Sequence, residues 1–115
     1  MKSLLKLLAI LSATASPALA QSAYEGRWAA TGTSCNAQDT DNVPMEIMGT
    51  TVRFYESLCS LTNPVEIRDM NGQLFDLVCN GEGEQWTHRG LLLLNDDGSL
   101  VYSANGWTDT FRRCE

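Results

Sequence analysis

After residue 20 the chain shows short runs of alternating apolar and polar residues, separated by Gly, Asn, Asp and Pro, and almost no 3.6-residue periodicity. A period of two sends successive side chains to opposite faces of a strand, so the pattern predicts an all-β domain. Residues 26–31 read as the first strand, and 32–42, rich in Thr, Ser, Asn and Asp, as a loop carrying Cys35. Residues 43–48 and 51–56 predict a hairpin about Gly49-Thr50, with Met45, Ile47, Val52 and Phe54 inward and Glu46, Arg53 and Glu56 toward water. Residues 57–64 read as a connection held through Cys59, because Asn63-Pro64 interrupts a central strand. Residues 65–70 and 73–80 flank Asn71-Gly72, the strongest short-range hairpin signal in the chain, since both residues tolerate positive φ. Residues 84–94 and 99–104 predict another hairpin over Asn95-Asp96-Asp97-Gly98, and 107–114 follows the Asn105-Gly106 turn. Seven or eight antiparallel strands joined by short turns predict a small barrel or a sandwich. Four consecutive leucines, Leu91 to Leu94, predict a strand covered on both faces or an exposed contact patch.

The N-terminus breaks this pattern. Lys2 and Lys6 give a basic start, Leu4 to Leu11 an apolar segment, and Ala18-Leu19-Ala20 the small residues that a signal peptidase accommodates. Residues 1–20 are therefore expected to be a signal peptide cleaved between Ala20 and Gln21, leaving 21–115 as a single β domain in the periplasm or outside the cell. No cysteine stands at the cleavage point to accept a lipid anchor. Cleavage would remove both lysines and leave six arginines against fourteen acidic residues, a net charge of −8. Such a surface repels phosphate backbones and anionic headgroups, so neither nucleic acid nor membrane is an expected partner; a cationic protein is the better electrostatic match.

Cys35, Cys59, Cys79 and Cys114 are even in number, and the shortest spacing between them is twenty residues. A zinc site would use closer pairs together with histidines, so the cysteines are expected as two structural disulfides of an exported protein, with no metal and no cofactor. Three pairings are open, and the expected one joins Cys35 to Cys59 and Cys79 to Cys114. In a strict up-and-down order Cys114 lies at the opposite rim from the other three, so one bridge has to span an offset.

Candidate chemistry is sparse. The single histidine, His88, sits mid-strand and reads as a packing or surface residue, which leaves no base for a Ser-His-Asp or Cys-His catalyst. Glu82 and Glu84, beside Trp86, are the raw material of a glycosidase pair, but a turn with two glycines reads first as a solvated acidic tip or a contact for a partner's Lys or Arg. Trp86, Trp107 and Tyr102 are core residues, a stacking platform or interface anchors, with the Asn105-Gly106 turn placing Trp107 at an edge. The Asp-rich turns at 39–42 and 95–98 lack the spacing of a calcium loop.

Gly26-Arg27-Trp28 on the first strand and Arg113 on the last resemble the calycin pattern, a Gly-x-Trp opening and an arginine that closes a β-barrel. The resemblance implies that the Trp28 indole plugs the barrel floor and that the Arg113 guanidinium packs over it. In size and element order the chain is most similar to exported bacterial Inh-type inhibitors of metalloproteases. It departs from them in having only residues 21–25 ahead of Gly26 and in carrying four cysteines, so no inhibitory residue is carried over. The expected function is that of a non-catalytic exported binding domain, an inhibitor of a cationic lytic enzyme or a protease, with Glu82, Glu84, Trp86 and Trp107 at its contact edge. The alternatives are a calycin-like carrier of a small apolar ligand and a structural envelope protein.

Overall fold

The computed structural model describes residues 23–38 and 42–115. The expected signal peptide lies outside the described residues, as does most of the 39–42 turn. Eight strands, β1 (Gly26–Ala30), β2 (Met45–Met48), β3 (Thr51–Arg53), β4 (Leu58–Glu66), β5 (Gly72–Gly81), β6 (Glu84–Leu94), β7 (Leu100–Ala104) and β8 (Trp107–Cys114), pair in sequence order as a closed antiparallel barrel. The choice between barrel and sandwich is settled by the β1–β8 ladder, in which Trp28 faces Arg113 and Ala30 faces Phe111.

Alternation fills the interior as the sequence predicts. Trp28, Met45, Ile47, Val52, Leu77, Leu92, Leu100 and Phe111 are buried in one cluster. An eight-stranded barrel is just wide enough for side chains to fill. At Gly90 even a Cβ would come within 2.4 Å of Leu77 Cδ1. Of the four leucines, Leu92 and Leu94 point into this core while Leu91 and Leu93 are half-buried on the outer face, between the covered and the exposed expectation.

Three expectations are corrected. First, all of the expected connection but Ser57 belongs to β4, and Asn63-Pro64 is accommodated by a register shift between Thr62 and Val65. Asn63 takes φ 49° and its side chain donates to Asp76 at 3.0 Å, so a bulge absorbs the proline that a regular ladder would reject. Second, Asn71-Gly72 is not the β4–β5 turn. The chain reverses over residues 67–71, with Asp69 at φ 61° and the Ile67 amide donating to Gly72 O at 3.0 Å. Gly72 is a strand residue, needed because a Cβ there would lie 3.0 Å from Leu93 Cδ1 and 3.2 Å from Leu92 O.

Third, the disulfides are Cys35–Cys114 and Cys59–Cys79. Cys59 and Cys79 are direct cross-strand partners on the inner faces of β4 and β5. Cys35 reaches Cys114 because the loop after β1 doubles back along the outside of the barrel, which spans the offset between rims. Arg27 donates to Cys35 O at 2.8 Å and Arg112 to Thr33 O at 2.9 Å, fixing that return path. Ala29, which alternation sends outward, is fully buried beneath it.

The end of the barrel where β8 finishes is plugged on its β1–β8 side, next to a cleft of about 680 Å³ lined by Tyr24, Leu61, Phe75 and Leu94. Trp28 is fully buried and donates its Nε1 hydrogen to Tyr24 O at 2.8 Å. Arg113 lies 4.3 Å from the Trp28 ring centroid and donates to Ala23 O and Glu25 O. Gly26, at φ 136°, leaves room for this guanidinium, since a Cβ would lie 2.7 Å from Arg113 Nη1.

Two outcomes test this arrangement. Non-reducing peptide mapping should recover the 35–114 and 59–79 pairs. The C35A/C114A protein should then lose roughly 4 kcal/mol in denaturant titration, as expected from opening a 79-residue separation in the unfolded chain. Replacing Arg113 by Gln should cost about 2 kcal/mol, through the lost ring contact and the two charge-assisted hydrogen bonds. A loss under 0.5 kcal/mol, on the order of a surface substitution, would show that the plug does not depend on the guanidinium.

Candidate functional site

The opposite end is built differently. The β5–β6 and β7–β8 hairpins close there through two-residue turns, Glu82-Gly83 with φ 51° and 77° and Asn105-Gly106 with φ 53° and 75°, the doubly positive geometry of tight hairpins. The last β6–β7 pair is Gly90 with Ala104, whereas β5 and β6 remain paired out to Gly81 and Glu84. The β5–β6 ribbon therefore projects beyond the β7 wall and forms a lip, and its inner face carries Trp86 and His88.

Inside this lip, Phe54, Ser57, Cys59, Cys79, Trp86, His88, Tyr102, Ala104, Asn105 and Trp107 line a cleft of about 300 Å³. The rings meet at steep angles. Phe54 and Tyr102 lie 5.6 Å apart at 64°, Tyr102 and Trp107 5.4 Å apart at 58°, and Trp107 and Phe111 6.5 Å apart at 76°. Edge-to-face contacts of this kind suit the ring quadrupole and make adjoining walls rather than a stack. Trp86 is 37% exposed and Trp107 48%, so neither indole is a core residue, in contrast to Trp28. A second cleft of about 420 Å³ shares Phe54 and Trp107 and adds Tyr55, Glu56 and Asp109.

Gly81 makes the packing at the lip possible. A Cβ there would fall 2.5 Å from Glu56 O and 3.0 Å from a Trp86 ring carbon. The missing side chain lets the β3–β4 connection and the indole close over the ribbon.

Tyr102 forms the floor. It is 4% exposed, and burial pushes its phenol up to about 12. Its hydroxyl lies 3.3 Å from His88 Nε2, while His88 Nδ1 is buried with no hydrogen-bond partner among the described residues.

The structure thus gathers two of the four expected contact residues, Trp86 and Trp107, into one cleft. Glu82 and Glu84 stand on the exposed tip of the lip and line neither cleft, so their carboxylates do not form a catalytic pair within a groove. Trp28 and Arg113 belong to the plug at the far end. Phe54 and His88 were not anticipated as site residues; the signal for His88 was its spacing of two from Trp86, which puts both on one strand face. Among the described residues no group of three or more His, Cys, Asp or Glu is placed to hold a metal ion.

Comparison with protein-family models, curated proteins and solved structures finds no match to the chain. The geometry of the mouth therefore carries the functional argument.

The buried phenol gives a test of that geometry. A group whose proton is held more tightly in the folded state leaves stability intact below the ordinary tyrosine value of 10, and stability falls as pH rises toward 12. Denaturation midpoints measured across that window should fall less in the Tyr102→Phe protein than in the parent. Parallel curves would place Tyr102 outside the floor.

Proposed function

We propose that this protein is an exported, non-catalytic binding protein whose barrel mouth engages a cationic protein partner, as an inhibitor of a lytic enzyme or a protease. One observation carries the reading. Two half-exposed tryptophans, 21 residues apart in sequence, line the same solvent-facing cleft with Phe54 and Tyr102. Tryptophan and tyrosine in a partly preformed pocket are the side chains that dominate protein–protein binding energy, because they bury a large rigid area with little loss of rotamer freedom.

Charge supports the same direction. The chain carries −6 overall, and neither cleft is lined by Lys or Arg. Glu82 and Glu84 project from the lip, and Glu56 and Asp109 line the second cleft. Acidic groups around an apolar centre accelerate encounter with a basic surface, while the aromatic centre supplies the buried area. Export is supported by the basic, apolar and small-residue order of residues 1–20 and by two disulfides, which persist in oxidising compartments such as the periplasm. The Trp28–Arg113 plug supports kinship with calycin-like barrels. A calycin-like carrier would hold its apolar ligand within the barrel, and the close packing of Trp28, Met45, Leu77, Leu92 and Leu100 along the axis weighs against that use.

The test is a panel of purified secreted lysozymes and proteases, basic and acidic, assayed for binding and inhibition by the disulfide-bonded protein at low and moderate salt. A basic member should bind, more weakly as salt rises. Trp86→Ala and Trp107→Ala should each weaken binding by about tenfold or more while leaving the melting temperature within a few degrees. Binding that survives both substitutions, or that favours acidic members, overturns the reading.

A further inference from the structure

The mouth cleft has a more specific chemistry than a general apolar contact. Its walls are aromatic faces and edges set at 58° and 64° to one another, and its floor is the Tyr102–His88 pair. The nearest arginines do not compete for this space. Arg53 and Arg89 lie on the outer face of their strands, and Arg89 pairs with Asp76 at 3.3 Å.

We propose that the cleft is a slot for one arginine side chain of the partner protein, an assignment that rests on the binding reading above. The occupant must be cationic, because aromatic faces attract positive charge and the lip beside them carries Glu82 and Glu84. It must also enter a cleft whose lining holds no charged side chain, so it must shed its hydration at modest cost. Arginine fits these demands better than lysine. Its guanidinium is flat, stacks on an indole and is weakly hydrated, so it enters an apolar slot at modest desolvation cost. A lysine ammonium is a compact, strongly hydrated charge that cannot stack on an indole and costs more to desolvate. A volume of about 300 Å³ accommodates the guanidinium and its methylene stem. The guanidinium's outer N–H groups are left toward the rim, within the field of the lip glutamates.

The three tryptophans make the test direct, since Trp28 sits at the far end as an internal control. The indole N–H resonances of the disulfide-bonded full chain are followed while a blocked Gly-Arg-Gly peptide is added, then the same peptide with citrulline, the neutral isostere, or with lysine. The arginine peptide should shift the Trp86 and Trp107 resonances saturably and leave Trp28 unmoved. Citrulline and lysine should bind about tenfold more weakly, the size expected for losing the charge or its stacking. Trp86→Leu and Trp107→Leu, both at exposed positions, should each remove most of the preference for arginine. Equal responses to arginine and citrulline, or no response at either mouth indole, overturn the slot. If mouth substitutions abolish binding of a basic hydrolase while the arginine peptide leaves the indoles unmoved, this assignment falls and the binding reading stands. If the peptide fills the slot but no basic hydrolase binds there, the reading of an inhibitor falls and the slot stands.

Discussion

Closure of the sheet by the β1–β8 ladder is the constraint from which the rest of the molecule follows. A closed barrel leaves no full-length edge strand to aggregate, and its strands tilt and stagger. One rim is covered on its β1–β8 side, where the segment leading into β1 crosses it and Arg113 joins the last strand to that segment by covering Trp28 and capping Ala23 O and Glu25 O; beside this cover a cleft of about 680 Å³ opens between Tyr24, Leu61, Phe75 and Leu94. The Cys35–Cys114 bridge fixes the same junction from outside, through a loop folded back along β1 and β8. The other rim takes up the stagger. There the β5–β6 ribbon overreaches β7, and the side chains on its inner face have no further strand to pack against.

This asymmetry explains why three tryptophans in one small domain have different environments. Trp28 meets a carbonyl for its N–H and a cation for its face, and nothing of it reaches water. Trp86 and Trp107 lie where the wall ends, and each keeps more than a third of its surface exposed. Trp28, Met45, Leu77, Leu92 and Leu100 fill the barrel axis, so the open clefts among the described residues lie at its rims. The mouth rim is also where a tight turn sets a carboxylate at its tip, because the two-residue reversal at Glu82-Gly83 holds Glu82 at φ 51°, a left-handed conformation that disfavours a side chain such as glutamate.

Much of the fold was legible because it depends on local rules. Alternation identified the inward faces of β2, β3 and β8, and Gly49-Thr50 and Asn105-Gly106 marked turns that form where expected. The rules failed where two of them competed. Asn71-Gly72 has the strongest turn chemistry, yet Gly72 is required inside β5 by the close approach of Leu92 and Leu93, so the reversal moves to 67–71. Asn63-Pro64 reads as a strand breaker, yet the left-handed conformation of Asn63 opens a bulge that lets β4 continue. The disulfides were not legible from spacing. Their partners depend on the β4–β5 register and on the path of a loop outside the barrel, neither of which is encoded near the cysteines themselves. The site was legible in part. Trp107 beside a turn signalled an edge, but its meeting with Trp86 depends on β7 stopping at Ala104, which is a property of the stagger around the whole barrel.

The mouth separates two electrostatic roles that a single exposed patch would have to combine. Carboxylates at the tip of the lip remain hydrated, so their attraction for a basic surface acts over roughly a Debye length and weakens with salt. Their contribution falls mainly on the rate of encounter. Within the cleft the lining is mostly aromatic and carries no charged side chain, so interactions made against its walls are screened less by ions than those at the tip. A contact that reaches this interior contributes mainly to the lifetime of a complex, because breaking it returns a desolvated group to water. In the proposed complex, acidic residues outside and aromatic residues inside would act in succession on one approaching side chain, an order set by a ribbon whose tip is exposed while its base overhangs a filled barrel.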